Sequence, residues 1–197
     1  MRFRVLSRRE VEAGGADSAD AVVSIRPRRP SPEDELDLAI AQAVEGDLEA
    51  VLVLRFDDIG LERHDRFVGP ALEDVDRLLA FGRAVGEGHD DPLVVLHCQA
   101  GVSRSMAAAL LLLADRLGLG REQEAVRAWR ALDLEGRACP NPRLVMLGDA
   151  ALLRLGRLEA ALAEGCPAYR IARDGWRWLA AGGPAAVPQR RARGRRG

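Results

Sequence analysis

Apolar residues fall into two rhythms along this chain. In the first half they form short, nearly continuous runs: Ala21–Ile25 (AVVSI), Val51–Phe56 (VLVLRF) and Leu93–His97 (LVVLH), with a weaker run at Phe3–Ser7. Runs of that length, rich in Val, Leu and Ile, predict strands covered on both faces, as in a parallel sheet. Between them the period lengthens. Pro70–Val85 sets Leu72, Val75, Leu78, Leu79 and Phe81 on one broad face, the spacing of an amphipathic helix. Ser31-Pro32-Glu33-Asp34 reads as a helix start, a capping serine followed by a proline and two acids.

The second half is helical almost throughout: Ser105–Leu117, Arg121–Leu132, Arg143–Leu155 and Leu158–Glu164. Gly118–Gly120 breaks the first pair, and Asn141 with Pro142 supplies a cap and first turn for the third helix. Trp129 belongs to an amphipathic helix and is expected in the core. Beyond Cys166, AYRIARDGWRWL reads as a short hairpin about Asp174-Gly175, with Trp176 and Trp178 on one face. The final stretch, PAAVPQRRARGRRG, has no apolar period and is expected to be disordered. Strands alternating with helices, then helices alone, predict an α/β fold. It would have a small, mainly parallel central sheet flanked by helices and a helical C-terminal half. The expected organisation is an N-terminal strand or extension over 1–20 and a principal domain over 21–165. A C-terminal extension packs on it over 166–183, and an Arg-rich tail follows over 184–197.

Composition narrows the class without naming a chemistry. With 48% hydrophobic and 30% charged residues, the 197-residue chain is an ordinary globular protein with enough length for a core. A net charge of −1 calls for no polyanionic partner. All basic side chains are Arg; the tail's Arg190, Arg191, Arg193, Arg195 and Arg196 read as a solvated terminus open only to weak polyanion contact. No stable nucleic-acid or membrane partner is expected. Three cysteines at irregular spacing make neither a disulfide framework nor a zinc site, which favours the cytoplasm. The N-terminus has no signal-like apolar run, and Met106–Ala114 falls far short of the ~20 residues needed to span a bilayer. His64, His89 and His97 show no ligand spacing, so neither a metal nor a cofactor is expected. His64 reads as a surface loop residue, and Cys139 and Cys166 as bystanders.

The informative stretch is HCQAGVSRS, residues 97–105. A strand ends at His97, a short loop follows, and a helix begins near Arg104 or Ser105. Such a loop aims backbone N–H groups and the positive end of a helix at one point, a ready phosphate site. Gln99, Ala100, Gly101, Val102 and Ser103 would form its backbone cradle. Gly101 permits a conformation that residues with a Cβ resist, and Arg104 brings a planar fork of donors for two phosphate oxygens. Cys98 lies in the same field, which favours its thiolate, a nucleophile toward phosphorus. Ser105 can donate to that thiolate and assist its departure later. His97, expected to point away from the strand tip, positions the loop.

These residues resemble the signature of the cysteine-dependent protein tyrosine phosphatase superfamily: His-Cys, five residues, Arg, then Ser or Thr. The variant looks like the dual-specificity subgroup, and the chain resembles small bacterial tyrosine-phosphatase-like proteins. The likeness extends over roughly Ala21–Glu164, including PNPRLV at Pro140–Val145, which looks like a helix start late in such domains. The resemblance implies hydrolysis of phosphotyrosine through a phosphocysteine intermediate, with phosphoserine or phosphothreonine also accepted, and residues 21–165 as a phosphatase domain. It also implies a general acid, an Asp on a loop after another strand a few tens of residues before the Cys. VLVLRFDDIG offers Asp57 and Asp58 there. Asp57 directly follows the strand and is open to capping it, so Asp58 is the preferred acid and Asp57 the reserve.

Other readings remain beside this one. A phosphoinositide or inositol phosphate phosphatase would use the same chemistry, but the loop interior Gln-Ala-Gly-Val-Ser carries no additional basic residue. A silent phosphate-binding module would be expected to lose Cys98, Arg104 or the acid. Sulfurtransferases commonly have a shorter Cys-to-Arg interval, and low-molecular-weight phosphatases carry their signature near the N-terminus.

Overall fold

The computed structural model describes residues 1–29, 50–88 and 90–183. The helix start expected at Ser31 and the Arg-rich tail lie outside these residues. Among the described residues, strands β1 (Arg2–Ser7), β2 (Ala21–Arg26), β3 (Val51–Arg55) and β6 (Leu93–Cys98) form one parallel sheet in the order β1-β6-β2-β3. Two short strands, β4 (Arg63–His64) and β5 (Phe67–Val68), form a separate antiparallel hairpin that the sequence pattern did not reveal. Helices follow as α1 (Arg8–Glu10), α2 (Leu72–Gly88), α3 (Arg104–Leu117), α4 (Glu122–Arg130), α5 (Pro142–Ala151), α6 (Arg157–Gly165) and α7 (Pro167–Ala180), with a π-helical turn at Val11–Gly15. The architecture is α/β with a parallel central sheet and a helical second half.

Strand β6 is buried along its whole length because both of its faces are covered. Val95, with Val22 of β2, packs against Val11, Ala16 and Ala19 on one side. Val94, Leu96 and Cys98 join Val23, Ile25 and Leu54 in the larger core on the other. Successive side chains of a strand alternate between faces, so Cys98 points to the α3 side and His97 to the opposite side. The weak run at the N-terminus proves to be a real strand whose Ser7 lies in register with Cys98.

Helix α3 forms the centre of the helical half. Met106–Leu112 and Ala114 are all buried, and the small Ala107–Ala109 stretch lets the helix sit close to the sheet. Leu110 and Leu111 are fully buried, each contributing about 1.5–3 kcal/mol of apolar transfer. Trp129 of α4 is buried against α3, and its indole N–H donates to the Met106 carbonyl at 2.9 Å.

Two expectations need correction. The segment around Asp174-Gly175 is not a hairpin but the interior of α7. Pro167 occupies its first turn, and Tyr169, Ala172, Trp176 and Leu179 recur at three- and four-residue intervals, so one helical face is covered. Gly175 keeps out of the left-handed region that an Asp-Gly turn requires. The helix expected to reach Leu155 stops at Ala151, and Leu153 and Leu155 take left-handed conformations with exposed side chains. Asp149 enforces that turn: its carboxylate accepts the N–H groups of Gly156, Leu158 and Glu159, capping α6.

Candidate active site

Ligands of open parallel sheets bind beyond the carboxyl ends of the strands, where neighbouring connections diverge. Here the loops leaving β3 and β6 meet at that edge. Cys98, the last residue of β6, is 3% exposed, and its Sγ lies 3.2 Å from Ser105 Oγ in the first turn of α3. Gln99 and Ala100 stand exposed above it. Gly101 has φ +72°, and its Cα faces the backbone of Leu6 and Ser7 at the end of β1. The loop therefore folds over the edge of the sheet.

Ser103 occupies the N-cap position of α3 but makes no capping hydrogen bond. Its hydroxyl instead donates to Asp58 Oδ1 at 2.7 Å. The first N–H groups of α3 are thus left without the side-chain acceptor that serine usually supplies. Arg104 is 6% exposed and folds back toward β3, donating from Nη1 to the Phe56 carbonyl at 3.0 Å. That bond fixes the guanidinium, while its buried Nε has no partner among the described residues. A buried guanidinium donor left this way favours an anionic oxygen.

The two neighbouring acids have separate surroundings. Asp57 Oδ2 accepts the Val68 N–H at 2.8 Å and its Oδ1 accepts the Arg28 N–H at 3.3 Å. It tethers the end of β3 to the β4–β5 hairpin. Asp58 is exposed and reaches across to the loop after β6 through Ser103. Of the two acids, it is the one that touches the Cys98–Arg104 loop in these contacts.

Asn141, read from the sequence only as a helix cap, also enters the site. Its Oδ1 accepts the Leu144 N–H at 2.9 Å, and its Nδ2 donates to Asp58 Oδ1 at 2.8 Å and to the Ile59 carbonyl at 3.1 Å. The flanking prolines of Pro140-Asn141-Pro142 signalled a rigid segment, but no local pattern pointed to the acid loop. Cys139 N–H donates to the Val102 carbonyl at 2.9 Å, so the same segment braces the loop. Burial pushes the Cys139 thiol up, aided by the nearby Cys166 and Asp58. Cys166 packs on the Ala138 carbonyl, and all three cysteines are free.

Helix α7 covers the acid loop from outside. A Cβ on Gly60 would run into the Trp176 ring, and His64 meets the same ring edge-on with centroids 6.0 Å apart. His64 is therefore half-buried beside the acid loop. His97 is buried at 2% exposure on the far face of the sheet from the thiol. A groove of 510 Å³ follows the outer edge of β1 behind Ala100–Val102, but Cys98, Arg104 and Asp58 do not line it. Among the described residues no helix is long and apolar enough to cross a membrane.

Comparison with known proteins places this geometry in a fold. No family model matches the chain, and no curated protein matches it. Among solved structures, human DUSP28 superposes with a TM-score of 0.52 at 17% identity, covering 79% of this chain and 94% of its own. Tk-PTP in its active form gives 0.48 at 20% identity, covering 81% and 92% respectively. A mouse putative dual specificity phosphatase complexed with zinc tungstate gives 0.48 at 18%, covering 81% and 86%. The chain has the fold of the cysteine-dependent, dual-specificity-like phosphatases.

Proposed function

We propose that this protein hydrolyses phosphomonoesters through a phosphocysteine intermediate, acting on phosphotyrosine and also on phosphoserine or phosphothreonine in proteins. The observation that carries the reading is the meeting of three groups at one strand edge. The Cys98 thiol lies beside the Ser105 hydroxyl, Arg104 is anchored with Nε uncommitted, and Asp58 is bonded into the same loop. The likeness to phosphatase structures supports the fold on which it rests.

The chemistry follows from these positions. The phosphoryl oxygens bind the backbone N–H groups of residues 99–104 and the Arg104 guanidinium, which also stabilise charge spread over them in the transition state. The Cys98 thiolate attacks phosphorus in line. As the S–P bond forms and the ester P–O bond breaks, Asp58 gives its proton to the leaving oxygen. Water then attacks the phosphocysteine and loses a proton to Asp58. The S–P bond breaks, and Ser105 donates a hydrogen bond to the returning thiolate. Inorganic phosphate leaves. His97 supports the loop from the opposite face of β6, and Asp57 holds the hairpin beside it. Three free cysteines support a reducing, cytoplasmic setting.

Activity of wild type and Cys98→Ser toward an aryl phosphate tests the reading. Loss of turnover with retained binding of a phosphate analogue is expected; near-normal hydrolysis by the variant would refute it. A panel of phosphotyrosine peptide, phosphothreonine peptide and phosphoinositide separates protein from lipid substrates.

A further inference from the structure

Asn141 is 1% exposed, and its side chain does more than start a helix. A cap needs only an acceptor for an early N–H, which Oδ1 provides to Leu144. The amide nitrogen is aimed at two acceptors on the other loop, Asp58 Oδ1 and the Ile59 carbonyl. The opposite amide orientation would set a donor against the Leu144 N–H and an acceptor against two oxygens, so the hydrogen-bond set admits one orientation.

We propose that Asn141 is a positioning residue for proton transfer: with Ser103 it holds Oδ1 of Asp58, so that the acid proton is carried on Oδ2. The inference rests on the reading of Asp58 as the acid–base group. A protonated carboxyl has one O–H and one oxygen that only accepts. Two donors converge on Oδ1, from Ser103 at 2.7 Å and Asn141 at 2.8 Å, assigning it the accepting role. Oδ2 then delivers the proton as the ester bond breaks and takes one from water in the second step. A carboxyl without these donors turns about a broad torsion, and its proton samples both oxygens.

The same residue sets the acid relative to the phosphate loop. The Asn141 N–H donates to the Ser103 carbonyl at 3.4 Å, while the Cys139 N–H holds Val102. One short segment thus grips the loop of the nucleophile through its backbone and the loop of the acid through a side chain.

Asn141→Ser and Asn141→Asp test the proposal, because both replacements can cap α5 but neither supplies an amide donor to Asp58. The readout is kcat/KM for p-nitrophenyl phosphate, whose leaving group needs little protonation, against phenyl phosphate, whose leaving group needs more. Both variants leave the buried Ile59 carbonyl without its donor, so each is expected to melt at a lower temperature than wild type and to lose less activity on the first substrate than on the second. On the second they should lose roughly ten- to a hundredfold, the scale of one hydrogen bond to an ionisable group. Equal losses on both substrates, or none on either, would overturn the positioning role while leaving the phosphatase reading intact. A wild-type chain inactive on both phosphates would instead overturn the phosphatase reading and this inference with it.

Discussion

Gly101 crosses the end of β1 so closely that a Cβ there would stand 2.9 Å from the carbonyl carbon of Leu6. Its φ of +72° lies in the left-handed region, and the obstacle is backbone rather than a side chain that can swing aside. Two independent constraints therefore act on one residue. Gly101→Ala should cost about 1–2 kcal/mol from conformation alone, with the collision added to it. The expected result is a lower melting temperature together with loss of phosphate binding; a variant matching wild type in both would contradict this account of the loop.

Asp57 and Asp58 are neighbours with different hydrogen-bond partners, and their variants should separate. Asp58→Asn is expected to lower kcat/KM for phenyl phosphate by about 10²–10⁴, with a smaller effect on p-nitrophenyl phosphate. Asp57→Ala removes the acceptor for two backbone N–H groups and should cost about 1–3 kcal/mol of stability. Its leaving-group dependence should remain that of wild type. Denaturant melts and paired substrate kinetics on the two variants measure the division.

The 3.2 Å contact between Cys98 Sγ and Ser105 Oγ predicts a defect in the second half of the cycle. Without the hydroxyl, the departing sulfur loses a donor. Ser105→Ala should release the first equivalent of nitrophenol in a burst and then turn over roughly ten- to a hundredfold more slowly. Rapid-mix kinetics would detect this; a uniformly slowed first turnover would assign Ser105 a different role.

The end of β1 should respond to acid. Hydrogen bonds from the Ser7 hydroxyl and N–H hold the Glu10 carboxyl below the ordinary glutamate range. Because the folded value is lowered, this contribution is present above the unfolded value and is lost as pH falls through the folded one. The melting-temperature gap between wild type and Glu10→Gln should therefore narrow from about pH 7 to about pH 3. A gap independent of pH would show that the capping box has no ionic component.

Much of the proposed site was legible because its residues lie close together along the chain. His97 to Ser105 form one strand end, one loop and one helix start, so their spacing already brings a thiol, an arginine and a helix mouth together. The buried strands were equally plain, since a continuous apolar run permits few alternatives. Local signals failed where distant packing chose between conformations. Asp174-Gly175 carries a turn signature, but the covered face containing Tyr169 and Trp176 made it helix. Leu152–Leu155 continued an apolar pattern, but the Asp149 carboxylate gathered the following N–H groups and ended the helix early. Nor does chain order disclose that Asn141 meets Asp58, a contact between residues 83 positions apart. The meeting of Cys98 with Ser105 follows from neighbours in sequence, because the two are only seven residues apart across one loop. The separate contacts of Asp57 and Asp58 and the bracing of their loop required the folded chain, because hydrogen bonds between remote segments exist only after the core has brought those segments together.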